Sequence, residues 1–136
     1  MNVIELFRKE KMVFCIAIIM IIFGIAEIIT GFRHEFFGLV TEKDTITTIV
    51  GMGLGGCYLF SGIFLLCFKK WALFCSFIFL VIDVVGRLIM VIAQMFPTDT
   101  ARQIVGITGG TVIAFVFAII VFFKYRKFSF KKTLNS

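Results

Sequence analysis

The chain has one histidine in 136 residues, four cysteines with no C-x-x-C pair, and no phosphate-cradling glycine loop. These gaps remove most of what catalysis is built from. With a single histidine and no nucleophile beside a base, covalent and general acid–base chemistry lack their usual parts. The absence of C-x-x-C argues against a membrane thiol oxidoreductase. Glycines fall inside long apolar runs, not between a strand and a helix where they would cradle phosphate. His34, Glu35, Glu42 and Asp44 lack paired-ligand spacing, so no metal site is expected, and no cofactor. The sequence reads as that of a non-enzymatic protein.

Charge is scarce too. Charged residues make up 16% of the chain and sit between long apolar stretches, while hydrophobic residues reach 60%, against roughly 45–50% in soluble domains. That pattern marks a multi-pass membrane protein of one domain. A net charge of +6 would suit nucleic acid, but position argues otherwise. The bases cluster next to the apolar runs, at Arg8, Lys9 and Lys11, at Lys69 and Lys70, and from Lys124 to Lys132. There they attract anionic headgroups and set topology. The expected partners are the lipid bilayer and anionic lipids at its cytoplasmic face, with no nucleic acid.

Four runs meet the ~20-residue length needed to cross the hydrocarbon as helix: 12–30, 46–68, 71–95 and 103–123. Residues 1–11 read as an interfacial amphipathic segment, with Val3, Ile4, Leu6 and Phe7 against Glu5, Arg8, Lys9, Glu10 and Lys11. No small-x-small cleavage pattern follows, so the first run is taken as an uncleaved span. Residues 124–136 form a basic cytoplasmic tail. Only Arg33, Lys43 and Arg102 fall in the loops of the opposite side, which predicts both termini in the cytoplasm. The expected fold is an all-α four-transmembrane-helix bundle in the plasma (cell) membrane, its cysteines packed inside as small hydrophobes.

An internal repeat accompanies the four spans. Asp44-Thr45-x-x-x-Ile49-Val50-Gly51 recurs as Asp99-Thr100-x-x-x-Ile104-Val105-Gly106, an offset of 55 residues. The offset predicts two copies of one helical hairpin. Each Asp precedes a span and can cap its free N–H groups.

Candidate site residues come from charge at membrane depth, which is costly and so implies a partner, a ligand or a pathway. Asp83 and Arg87 lie one turn apart inside the third run, in Ile82-Asp83-Val84-Val85-Gly86-Arg87. At ~1.5 Å per residue, Glu27 of the first run reaches nearly the depth of Arg87, in the outer half of the membrane. Ser76, Asp83, Arg87 and Gln94 share one helical stripe. Gly51/Gly55 and Gly106/Gly110 let spans two and four approach closely. A polar cluster of Glu27, Asp83 and Arg87 is therefore expected, with Tyr58, Gln94, Thr108 and Thr111 as outer members. The outer loop adds Arg33, His34 and Glu35. Two acids and one base leave one negative charge in excess, which a proton or a bound cation would balance.

The six residues Ala26-Glu27-Ile28-Ile29-Thr30-Gly31 resemble the first-helix carboxylate segment of the small multidrug-resistance transporters, which are also short four-span proteins. The likeness covers those six residues only. The first outer loop is longer here, Asp83 and Arg87 depart from the pattern, and the acid sits toward the outer side. No membership follows.

Two functions fit the cluster. One is a non-enzymatic binding module, or subunit, for a partner protein or an amphipathic ligand. The other is a proton-coupled transporter of small molecules or ions, working as a homodimer because four helices leave little room for a pathway.

Overall fold

Long runs of Ile, Val, Leu and Phe form helices here because helix satisfies every backbone N–H and C=O within the segment, as lipid demands. The computed structural model describes residues 3–33, 35–36, 39–40, 45–94 and 101–134. Its helices are α1 (Val3–Lys9), α2 (Lys11–Arg33), α3 (Thr45–Cys67), α4 (Lys70–Ile92) and α5 (Ala101–Leu134). Between α2 and α3, β1 (Glu35–Phe36) pairs antiparallel with β2 (Leu39–Val40), Glu35 opposite Val40. Among the described residues, four helices, all but α1, are long and apolar enough to cross a membrane. The chain is an all-α four-helix bundle and an integral, multi-pass membrane protein. Asp44 and Asp99, the expected helix caps, lie outside the described residues.

The helices pack in chain order, α2 on α3, α3 on α4 and α4 on α5, and α5 makes little contact with α2. Each seam has its own chemistry. The α2–α3 seam is closed by glycine. A methyl group at Gly24 would stand 2.6 Å from the Leu59 backbone nitrogen, and one at Gly62 would stand 2.9 Å from the Ala17 carbonyl oxygen. The α3–α4 seam carries a buried hydroxyl pair, Ser61 and Ser76. Their Oγ atoms lie 2.7 Å apart, and Ser61 Oγ also donates to the Ser76 carbonyl oxygen at 2.9 Å. The α4–α5 seam is aromatic and alanine-lined: Phe77 meets Phe122, Phe74 meets Tyr125, and Ala114 and Ala118 are buried. Many phenylalanines thus join helices to one another, a role beyond the lipid contact that composition suggests.

The first helix and the far end of α5 meet at one end of the bundle. Leu6 of α1 is fully buried in the core. Glu10 keeps the four-residue hydrogen-bond step on either side, its N–H donating to the Leu6 carbonyl and its carbonyl accepting from Phe14. Its carboxylate pairs with Lys124 of α5 at 2.6 Å. The expected fourth span stops at Phe123, yet α5 runs on to Leu134 because Lys124 has this acid and Phe128 packs edge-on against Phe68 at 6.0 Å. Phe68 sits in the α3–α4 turn with φ 45°, a left-handed conformation that ordinarily favours glycine. Its ring is buried, which offsets the backbone cost.

The cysteines are not the buried set expected. All four are free thiols, with Cys15 and Cys67 exposed and Cys57 and Cys75 half-buried. In lipid an exposed thiol needs no partner, so burial is not forced.

The glycine seam is testable by adding one methyl group. Gly24→Ala must displace backbone and is expected to destabilise the protein by about 1–3 kcal/mol in reversible unfolding from mixed micelles. Gly53→Ala, whose new Cβ would have no neighbour within 4 Å, is expected to change stability by less than about 0.5 kcal/mol.

Candidate functional site

The site is built on α4. Ser76, Leu80, Asp83 and Met90 are buried along one stripe of this helix, at the three- and four-residue spacings that keep one face inward. Asp83 is completely buried, and Arg87 follows one turn later. The Arg87 Nε donates to Asp83 Oδ2 at 3.0 Å. Its Nη2 donates to Glu27 Oε1 on α2. One guanidinium therefore joins two carboxylates from two helices, its Nε serving Asp83 and its Nη2 serving Glu27 within one planar fork of donors. Among the described residues, Asp83 Oδ1 is buried with no hydrogen-bond partner.

Glycine shapes both flanks. A Cβ at Gly55 would lie 2.9 Å from the Glu27 Cβ, so the small residue on α3 leaves room for the acid. On α5, a Cβ at Gly110 would lie 3.5 Å from Arg87 Nη1, so this helix passes close beside the guanidinium. A cavity of about 40 Å³ opens there, lined by Phe23, Glu27, Tyr58, Arg87, Gly110 and Ile113. That volume has room for a few water molecules at most. The two carboxylates also differ in surroundings: the Asp83 side chain is 0% exposed, whereas that of Glu27 is 31% exposed.

The structure brings together Glu27, Asp83 and Arg87, and it sets Tyr58 beside them. Tyr58 is buried on α3, stacked on Phe117 of α5 with ring centroids 6.4 Å apart. The other expected outer members lie elsewhere. Gln94 falls beyond α4, exposed and with φ 55°. Thr108 is exposed on α5, and Thr111 donates its hydroxyl to the Ile107 carbonyl of its own helix at 2.9 Å. Arg33 ends α2 in an exposed position, and Glu35 belongs to the short ladder. His34 lies outside the described residues. Among the described residues, no group of three His, Cys, Asp or Glu could hold a metal ion.

Two features escaped the sequence. Ser61 faces Ser76, and the available signal was a lone hydroxyl three residues after Tyr58 in a helix otherwise apolar at that depth. Phe23 and Ile113, which flank the cavity, carry no signal that separates them from other apolar residues.

Comparison with protein-family models, curated proteins and solved structures found no match to this chain. The six-residue likeness at Ala26 to Gly31 stands without support from them.

Arrangement and burial set the energetic ranking. Arg87→Met leaves two carboxylates without their cation, and breaking a buried pair from one side costs about 3–5 kcal/mol. Ser61→Ala removes both interhelical hydrogen bonds of the hydroxyl pair, together about 1–2 kcal/mol in a membrane protein. Reversible unfolding should order the two variants that way. Equal losses would mean that the charges contribute no more than an ordinary polar contact.

Proposed function

We propose that the protein is a non-enzymatic binding module, or a subunit, that engages a membrane partner across the opening between α2 and α5. The observation that supports this is the partial exposure of Glu27 between two apolar residues. Its side chain is 31% exposed, and its neighbours in the cavity wall, Phe23 and Ile113, are 44% and 41% exposed. In lipid, such exposure sets part of a carboxylate against hydrocarbon, which is unfavourable. A partner lying over Phe23 and Ile113 removes that contact and can donate a hydrogen bond to the acid.

Size narrows the partner. Pockets that enclose a small molecule measure about 300–1,000 Å³, far above the 40 Å³ present here. The partner is then a surface laid across the opening, either a helix of another membrane protein or a second copy of this chain. An amphipathic ligand fits only if its apolar part stays in the lipid. On this view the 55-residue offset is a duplicated hairpin whose copies have diverged, one closing on glycine and the other on alanine and aromatic rings. The plasma membrane remains the proposed location.

A second reading, the proton-coupled transporter working as a homodimer, is favoured by the unpartnered Asp83 Oδ1. A buried carboxylate oxygen without a donor is costly when charged, and protonation relieves that cost.

Photo-crosslinking in the native host membrane separates these readings from plain packing. A photoreactive residue at position 23 or 113 is expected to give one discrete protein adduct, and one at position 78 on α4 to give none. Glu27→Gln should diminish the adduct while the fold, followed by circular dichroism, is retained. Lipid adducts alone at all three positions would contradict the binding module. For the transporter, proteoliposomes of the wild type should carry a pH-driven flux that Asp83→Asn abolishes.

A further inference from the structure

The bundle end opposite the charged site collects base and aromatic side chains from separate parts of the chain. Arg8 and Lys9 come from α1, Lys11 from the start of α2, Lys69 and Lys70 from the α3–α4 turn, and Arg126 and Lys127 from α5. All are exposed. Lys124 is not part of this surface, because Glu10 holds it. That pair also neutralises one of the few acids at this end.

Helical continuation of α5 decides where its bases point. A flexible tail would leave them free, but Tyr125 packs on Phe74 and Phe128 on Phe68. With those rings turned inward, Arg126 and Lys127 are turned out, and Arg126 lies over the Phe122 ring at 5.9 Å. At the same end Ile4, Phe7, Trp71 and Phe130 are exposed at 73%, 53%, 55% and 67%. Bases interleaved with exposed apolar and aromatic side chains suit a bilayer boundary. The rings enter the acyl edge and the cations meet phosphate. A soluble acidic partner would match the charge and leave those apolar groups uncovered.

We infer that α1, the α3–α4 turn and the α5 extension form one docking surface for anionic phospholipid headgroups in the leaflet at this end of the bundle. The surface is distinct from the Glu27–Arg87 site and does not depend on its function. Each base near an anionic surface strengthens attraction by up to about fivefold, so the effect should be graded with the number of bases kept.

The test uses the full-length protein in vesicles of phosphatidylcholine with phosphatidylglycerol at about three to one, followed by native mass spectrometry of the released protein. Retained phosphatidylglycerol is expected to exceed its bulk share several-fold. The pairs R8Q/K9Q and R126Q/K127Q should each lower that enrichment, and the four changes together should lower it further than either pair, with Lys11, Lys69 and Lys70 keeping it above the bulk ratio. R102Q, at the other end of α5, should leave it unchanged. All these positions are exposed, and circular dichroism verifies the helices in each variant. Retained lipid at the bulk ratio in the wild type would overturn the inference. So would an enrichment that R102Q lowers as much as the two pairs do.

Discussion

A guanidinium shared between two carboxylates below the membrane surface constrains the rest of this structure. Arg87 cannot enter a low-dielectric interior alone, and neither can Glu27 or Asp83. The acids come from different helices, so pairing requires α2 to approach α4 at one depth. The glycines make that possible. Gly24 and Gly62 let α2 lie directly on α3, and Gly55 leaves space for Glu27 beside it. At Gly110, α5 runs beside the guanidinium, where an added Cβ would be in ordinary contact at 3.5 Å. Close packing at the seams thus serves the geometry of the charges as well as the cohesion of the helices.

The two ends of the bundle are built on opposite principles. Where α1 and the end of α5 meet, Leu6 is buried, Glu10 holds Lys124, and Phe128 packs on Phe68 of the α3–α4 turn. Toward the other end the helices are less closed. Gly106 and Gly109 would find no neighbour within 4 Å of an added Cβ, and the cavity sits between α2 and α5. The proposed partner and the proposed lipid surface accordingly fall at different places, one at the less closed end and one at the closed end.

Much of this was legible in the sequence because the bilayer simplifies the problem. Membrane-length apolar runs dictate helices. A constant rise per residue fixes depth, which is how Glu27 and Arg87 could be paired from residue counting alone. What remained illegible was rotation. On helices apolar on nearly every face, composition does not say which face turns inward. Thr108 and Thr111 therefore looked like neighbours of the cluster, yet one is exposed and the other bonds within its own helix. Gln94 kept the right spacing but lies past the end of α4. The same ambiguity hid Ser61, and it hid the helical course of the basic tail, whose ordering depends on contacts with Glu10, Phe68 and Phe74.

The most direct measurement is a double-mutant cycle on the interhelical pair, with stability of Glu27→Gln, Arg87→Met and the combined variant read by reversible unfolding in one micelle system. If Arg87 is the shared cation that holds α2 to α4, the double variant should lose clearly less than the two single losses added together, by about 1–3 kcal/mol. Losses that add to within about 0.5 kcal/mol would show that the two side chains do not depend on each other. That outcome would contradict the central role assigned to the shared guanidinium.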